Sequence, residues 1–194
     1  GTHVAGIIAA ERNNGLGANG VANNVEIMAL RVVPNGDEYD KDVALAIRYA
    51  VDNGAKVINM SFGKYFSPEK MWVDSAVKYA EMKDVLIVHA SGNESYDLDK
   101  TEGFPNPWLR QWRTNAKNFI TVGASSDPRV NGSITTNFSN YGKERVDVYA
   151  PGVKMYSTLP GAHSYGNEQG TSMSAPVVSG LAALIRSYYP EFTA

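Results

Sequence analysis

Apolar residues recur along this chain in two rhythms that alternate from one end to the other. Val43, Ile47, Ala50 and Val51 fall at helical spacing, and Gly54 follows where a helix would be capped. The stretch from Pro68 to Met82 reads as a second helix, with Trp72, Val73, Ala76, Val77 and Ala80 on its apolar stripe. Gly6 to Arg12 is small and apolar on most sides and reads as a buried helix. Ala175 to Ile185 is a last, largely apolar helix. Between these lie strand-like runs. Residues 25–33 form one, closed by the turn signal Pro34-Asn35-Gly36. Lys56 to Met60 is a short one. Val85-Leu86-Ile87-Val88 is continuously apolar, as a strand buried on both faces should be. Phe119 to Val122 repeats that pattern, and Val146, Val148 and Ala150 alternate.

Strands alternating with helices predict an α/β domain with a mostly parallel sheet flanked by helices on both faces. In such sheets the reactive groups gather in loops at the carboxyl ends of strands. Three junctions therefore carry the interest: residues 59–63, 90–93 and 170–175. The long stretch from Tyr96 to Asn118 is expected to be a surface excursion. The 194 residues fit one domain, and 43% hydrophobic residues can supply its core. A formal charge of −2 gives no reason to expect nucleic acid as a partner. No apolar run is long enough to predict a membrane span. The lack of cysteine rules out disulfides, thiolate metal sites and a cysteine nucleophile.

Each junction has a plain reading and a chemical one. In Gly170-Thr171-Ser172-Met173-Ser174-Ala175-Pro176, Pro176 suits only a first helical turn. The helix is therefore expected to begin near Met173, with Ser172 at its mouth. Ser172 is then either an N-cap or a nucleophile beside unpaired amides and a helix dipole. Ala90-Ser91-Gly92-Asn93 is either a turn or a strand-end amide donor aimed at a developing oxyanion. His3, in Gly1-Thr2-His3-Val4-Ala5-Gly6, is either a packed structural imidazole or a base facing a cleft. His89 and His163 read as structural.

Together the three fragments resemble the subtilisin family of serine proteases. The segment 1–6 is similar to the family's histidine motif, 59–63 to its substrate-binding strand and 90–93 to its oxyanion segment. The segment 170–176 is similar to its nucleophile motif, with Ser174-Ala175 where many members have Ala-Ser. Residues 150–152 and 157–161 also look like family segments. An α/β-hydrolase reading is disfavoured, because position 174 is Ser rather than Gly and the motif histidine precedes the serine.

The resemblance implies a subtilisin-like fold and serine endopeptidase activity on polypeptide substrates, with secretion or a cell-envelope location. It implies Ser172 as nucleophile, His3 as general base and Asn93 as oxyanion donor. It implies substrate-binding walls at Ser61, Phe62 and Gly63 and at Ala90, Ser91 and Gly92, of hydrophobic or broad preference. No cofactor is required, and no metal ligands are assigned. The loop Asn13-Asn14-Gly15-Leu16-Gly17 lies where family members often hold structural calcium, yet it offers one nearby acid, Glu11, and is expected to be a simple turn. The family's triad aspartate lies upstream of its histidine motif. The chain is therefore expected to be an N-terminally truncated domain, 1–194, lacking the N-terminal strand or strands. A missing N-terminal segment of the same protein would supply the acid. Asp37, Asp40, Asp42 and Asp52 read as solvated carboxylates. The rival reading is an inactive relative that binds peptides or a partner protein.

Overall fold

The computed structural model describes residues 1–162 and 164–194, so the expectation for His163 lies outside the described residues. Chain order runs α1 (Thr2–Ala9), α2 (Asp40–Asp52), β1 (Val57–Met60), α3 (Lys70–Met82), β2 (Leu86–Ala90), β3 (Trp108–Leu109), β4 (Thr114–Asn115), β5 (Phe119–Ser125), α4 (Pro128–Asn131), β6 (Val148–Pro151), β7 (Met155–Thr158), β8 (Tyr165–Glu168) and α5 (Thr171–Tyr188). Four strands form a wholly parallel sheet in the order β1-β2-β5-β6. Two antiparallel pairs, β3-β4 and β7-β8, stand apart from it.

The sheet separates two apolar cores. One joins Val43, Ile47, Val73, Val77, Val85 and Ile87 with Phe119, beneath α2 and α3. The other joins Leu86, Val88, Ala90, Val122 and Ala150 with Ala175 of α5. Alternate residues of β2 thus serve opposite cores, which is why this strand is apolar throughout.

Several expectations shift. The first helix starts four residues earlier than its apolar pattern suggests and stops at Ala9, where the returning segment 20–22 bonds to the carbonyls of Ala10, Ile7 and Ile8. Gly6 is needed there, because a Cβ would stand 2.2 Å from Thr158 Oγ1 and 2.4 Å from Ser157 Oγ. Residues 25–33 do not form a strand, since no ladder partner lies beside them among the described residues; Ile27, Met28 and Leu30 are exposed. Trp72 leaves the buried stripe of α3 and is 49% exposed, so the core face is Val73, Ala76, Val77 and Ala80. The excursion after Tyr96 is not only surface: Leu98, Phe104 and Leu109 are buried, and Leu109 joins the core. Gly54 (φ +88°) does end α2, through Ala55 N–H to Ala50 O at 3.0 Å.

Charge is buried beside the first core. Lys70 Nζ lies 2.5 Å from Asp74 Oδ1, with both side chains at 3% exposure or less. Asp74 Oδ2 also accepts the Arg110 amide at 2.9 Å. Asp40, expected to be solvated, is 6% exposed. Burial alone would raise its pKa. Hydrogen bonds from Lys64, the Glu69 amide and Ser67 hold it below the usual carboxylate value instead. Breaking a buried pair from one side strands the other charge, so Asp74→Ala in the full-length protein is expected to cost about 3–5 kcal/mol. Urea denaturation measures this, and a loss under 1 kcal/mol would contradict the assignment.

Candidate active site

Helix α5 begins at Thr171, two residues ahead of the expected start, so Ser172 sits inside its first turn. Pro176 then lies deeper in the helix than its missing N–H would normally allow. The carbonyl left without a helical donor is that of Ser172, four residues earlier. The Ser61 hydroxyl donates to it at 2.8 Å. The Ser172 hydroxyl in turn donates to Ser61 O at 3.2 Å. This reciprocal pair ties the first turn of α5 to the residue that follows β1. Asn59 holds Ser61 from behind, donating Nδ2–H to its Oγ at 2.9 Å and accepting Ser179 Oγ–H at 2.9 Å.

Asn93 emerges from the loop after β2 against the same helix end. Its Oδ1 accepts the Thr171 amide at 2.8 Å and the Thr171 hydroxyl at 3.1 Å. Thr171 Oγ1 also accepts the Gly92 amide at 3.1 Å. A carbonyl oxygen engaged by a backbone N–H fixes which way the amide points, so Nδ2 faces away from the helix. Gly170 (φ +137°) permits this approach; a Cβ there would stand 3.3 Å from Asn93 Oδ1.

Residues 61–63 and 90–92 continue the neighbouring strands β1 and β2, whose register pairs Met60 with His89. Ser91 stays on the β5 side through its amide to Val122 O at 2.9 Å. His89 is buried as read from the sequence. It donates Nε2–H to Phe62 O at 2.8 Å and tilts against Phe119. Desolvation pulls its pKa from 6.5 to about 4.

The structure brings Ser172, Asn93 and Ser61 into one hydrogen-bonded group, and His3 lies on α1, which packs against α5. His3 is 7% exposed in the first turn of α1. Its Nε2 bonds to Gly166 O of β8 at 3.1 Å, and its Nδ1 is buried without a partner among the described residues. Its backbone carbonyl accepts Ser157 Oγ–H of β7 at 2.9 Å. One side of the ring is thus engaged by the β7–β8 hairpin. His89 is likewise committed to Phe62. Sequence reasoning missed Thr171, Asn59 and Ser179, polar residues whose partners are far along the chain. Ser174 Oγ, the departure in the nucleophile motif, is buried with no partner among the described residues. The loop at 13–17 is a polar turn, closed by Leu16 N–H to Asn14 Oδ1 at 2.9 Å.

The first turn of a long helix with a serine, a fixed amide and two strand ends is the arrangement of a peptidase-like α/β site. The subtilase family model matches residues 1–194, and the chain belongs to that family. A thermophilic serine proteinase of Bacillus sp. (strain AK1) is 42% identical over 96% of this chain and 42% of its own length. Thermitase of Thermoactinomyces vulgaris is 41% identical over 96% of this chain and 61% of its own. The major intracellular serine protease of Bacillus subtilis (strain 168) is 39% identical over 98% and 56%. Among solved structures, a protease from Pseudoalteromonas arctica superposes with a TM-score of 0.81 at 32% identity, covering 98% of this chain and 59% of that one. A cold-adapted subtilisin-like serine proteinase gives 0.77 at 30%, covering 99% and 62%. The fold is subtilisin-like. The chain spans about two fifths to three fifths of the length of these relatives.

Two outcomes are expected in the full-length protein. Thr171→Val leaves the Gly92 amide and Asn93 Oδ1 each one partner short, and should destabilise by about 1–3 kcal/mol in denaturant titration; no change would mean the hydroxyl is not engaged. His89 has a depressed pKa, so the unfolded chain takes up its proton first. Its effect is absent above pH 6.5, and stability falls as pH drops from 6.5 towards about 4, by up to about 3 kcal/mol. Comparing the pH dependence of unfolding with that of His89→Phe isolates this slope; identical slopes would contradict it.

Proposed function

We propose that this chain carries the nucleophile, the general base and the oxyanion donor of a serine endopeptidase, with the acidic partner of the base supplied by a segment outside residues 1–194. One observation carries the reading: Ser172 sits in the first turn of α5 beside an Asn93 amide that Thr171 holds with its Nδ2 turned outward. In the reaction, Ser172 Oγ attacks the scissile carbonyl. The developing oxyanion is met by Asn93 Nδ2–H and by the Ser172 amide, one of the first-turn N–H groups that a helix leaves unpaired. In subtilisin, losing such a side-chain donor costs about 10²–10³ in kcat. Residues 61–63 accept the substrate as an added strand, and 90–92 form the facing wall. The mechanism asks for no cofactor.

His3 takes the Ser172 proton and later delivers it to the leaving amine. Its Nδ1, buried without a partner among the described residues, is the atom that an acid from outside residues 1–194 would meet. The same outside chain would give β1 a second neighbour, since among the described residues β1 is bonded to β2 alone. Cellular location does not follow from membership: relatives include an extracellular basic protease of Dichelobacter nodosus and an intracellular protease. No helix of the described residues is long and apolar enough to cross a membrane.

A second reading has one observation in its favour: among the described residues no imidazole bonds to Ser172. A domain that binds peptides without cutting them would look like this. A fluorophosphonate probe on the full-length protein separates the two. Labelling is expected, is expected to vanish in Ser172→Ala, and is expected to fall sharply in a folded His3→Gln. No labelling of the intact protein would favour the binding reading, and full labelling in a folded His3→Gln would take the base role away from His3.

A further inference from the structure

His89 is an unusual residue to find at this point in the fold. It occupies the last turn of a strand that is otherwise aliphatic, and nothing in the chemistry above uses it. Its parity on β2 turns it away from α5, towards the core that holds Ile87 and Phe119. Its register partner is Met60, the residue immediately before the binding segment 61–63. The imidazole is buried, at 6% exposure, beside the end of β1. Its Nε2–H reaches Phe62 O at 2.8 Å. A Cβ on Gly63 would lie 3.4 Å from Nε2 and 3.2 Å from Phe104 O. Beside Gly63 the space is therefore closed by His89 and the Phe104 carbonyl. Phe104 is itself fixed by paired backbone bonds with Lys64, at 2.9 and 2.8 Å.

We infer that His89 is a specificity-determining residue: its ring is the floor of the groove between residues 61–63 and 90–92, limiting the length of the peptide side chain that enters. The inference rests on the proposed role of those two segments as substrate walls. A second consequence comes from the hydrogen bond. Phe62 is the middle residue of the segment that pairs with the substrate, and a strand offers its neighbour a fixed pattern of N–H and C=O groups only if its own position is fixed. The imidazole holds Phe62 from below through its carbonyl. The ring thus supplies two separable things, a volume and a donor.

Binding rather than turnover tests this, so that the outcome does not depend on the completeness of the catalytic groups. Full-length protein carrying Ser172→Ala is titrated calorimetrically with peptides that differ at one residue: Ala, Leu or Phe. With His89 present, the short side chain should bind as well as or better than the long ones. Adding His89→Ala should shift the preference towards Leu and Phe by about tenfold or more, a size usual for changes of a few carbons in a closed pocket. Adding His89→Phe keeps the volume and removes the donor. It should leave the order unchanged and weaken all three peptides together, and it covers the case in which the alanine variant fails to fold. An unchanged order in folded His89→Ala, or a shifted order in His89→Phe, overturns the assignment of His89 alone. No binding of any peptide to any form overturns the substrate-wall reading, and the inference with it.

Discussion

Pro176 removes the amide that would otherwise close the first turn of α5 onto Ser172 O, and the hydroxyl of Ser61 takes its place at 2.8 Å. That substitution decides the layout of the site. A helix interrupted by proline usually bends or frays. Here the open carbonyl becomes an attachment point for the end of β1, so the nucleophile and the substrate-binding segment are positioned by one interaction. The rest of the segment is held in succession: Phe62 O by His89, the Lys64 backbone by Phe104, and Lys64 Nζ by Asp40 Oδ1 at 2.8 Å. Loops are normally the mobile part of an α/β domain. This one has an anchor at nearly every residue.

The anchors differ in kind, and the difference follows the burial around them. On the α5 side they are neutral hydroxyls and amides in the chain Ser179–Asn59–Ser61–Ser172. Such groups can be fully paired at little cost in a nearly dry environment. On the α2–α3 side they include ion pairs, with Asp40 joining the segment 64–69 to the start of α2 and Asp74 joining α3 to the residue after β3. Buried charges demand complete partners, and each of these carboxylates has both oxygens engaged.

What the sequence made legible was whatever hydrophobic contrast could report. The runs at 85–88 and 119–122 are apolar on both faces and could only be central strands. Val43 and Ile47 fixed α2 to within a turn. Contrast failed where residues are uniformly small, so the start of α1 was misplaced, and where a pattern needs a neighbour to act on, as at 25–33. The site divided along the same line. Ser172 and Asn93 stand next to backbone features, a proline and a glycine turn, that can be read locally. Thr171 and Asn59 were invisible because their partners lie 78 and 120 residues away.

The hydrogen bonds divide the work between elements. The groups that hold Ser172 and Asn93 come from β1, β2 and α5, elements joined by parallel ladders and a shared core. His3 belongs to α1, which is tied to the β7–β8 hairpin by its own ring and by the Ser157 and Thr158 hydroxyls and packs against α5 on another side. An oxyanion site must be rigid before the substrate arrives, because its value lies in not reorganising during reaction. A base must approach the hydroxyl and then deliver its proton to a different atom. Placing the first task on the sheet and the second on a helix that packs beside α5 satisfies both demands. It also explains why the hydrogen bonds around Asn93 and Ser61 are complete by themselves: none of those described runs through an imidazole.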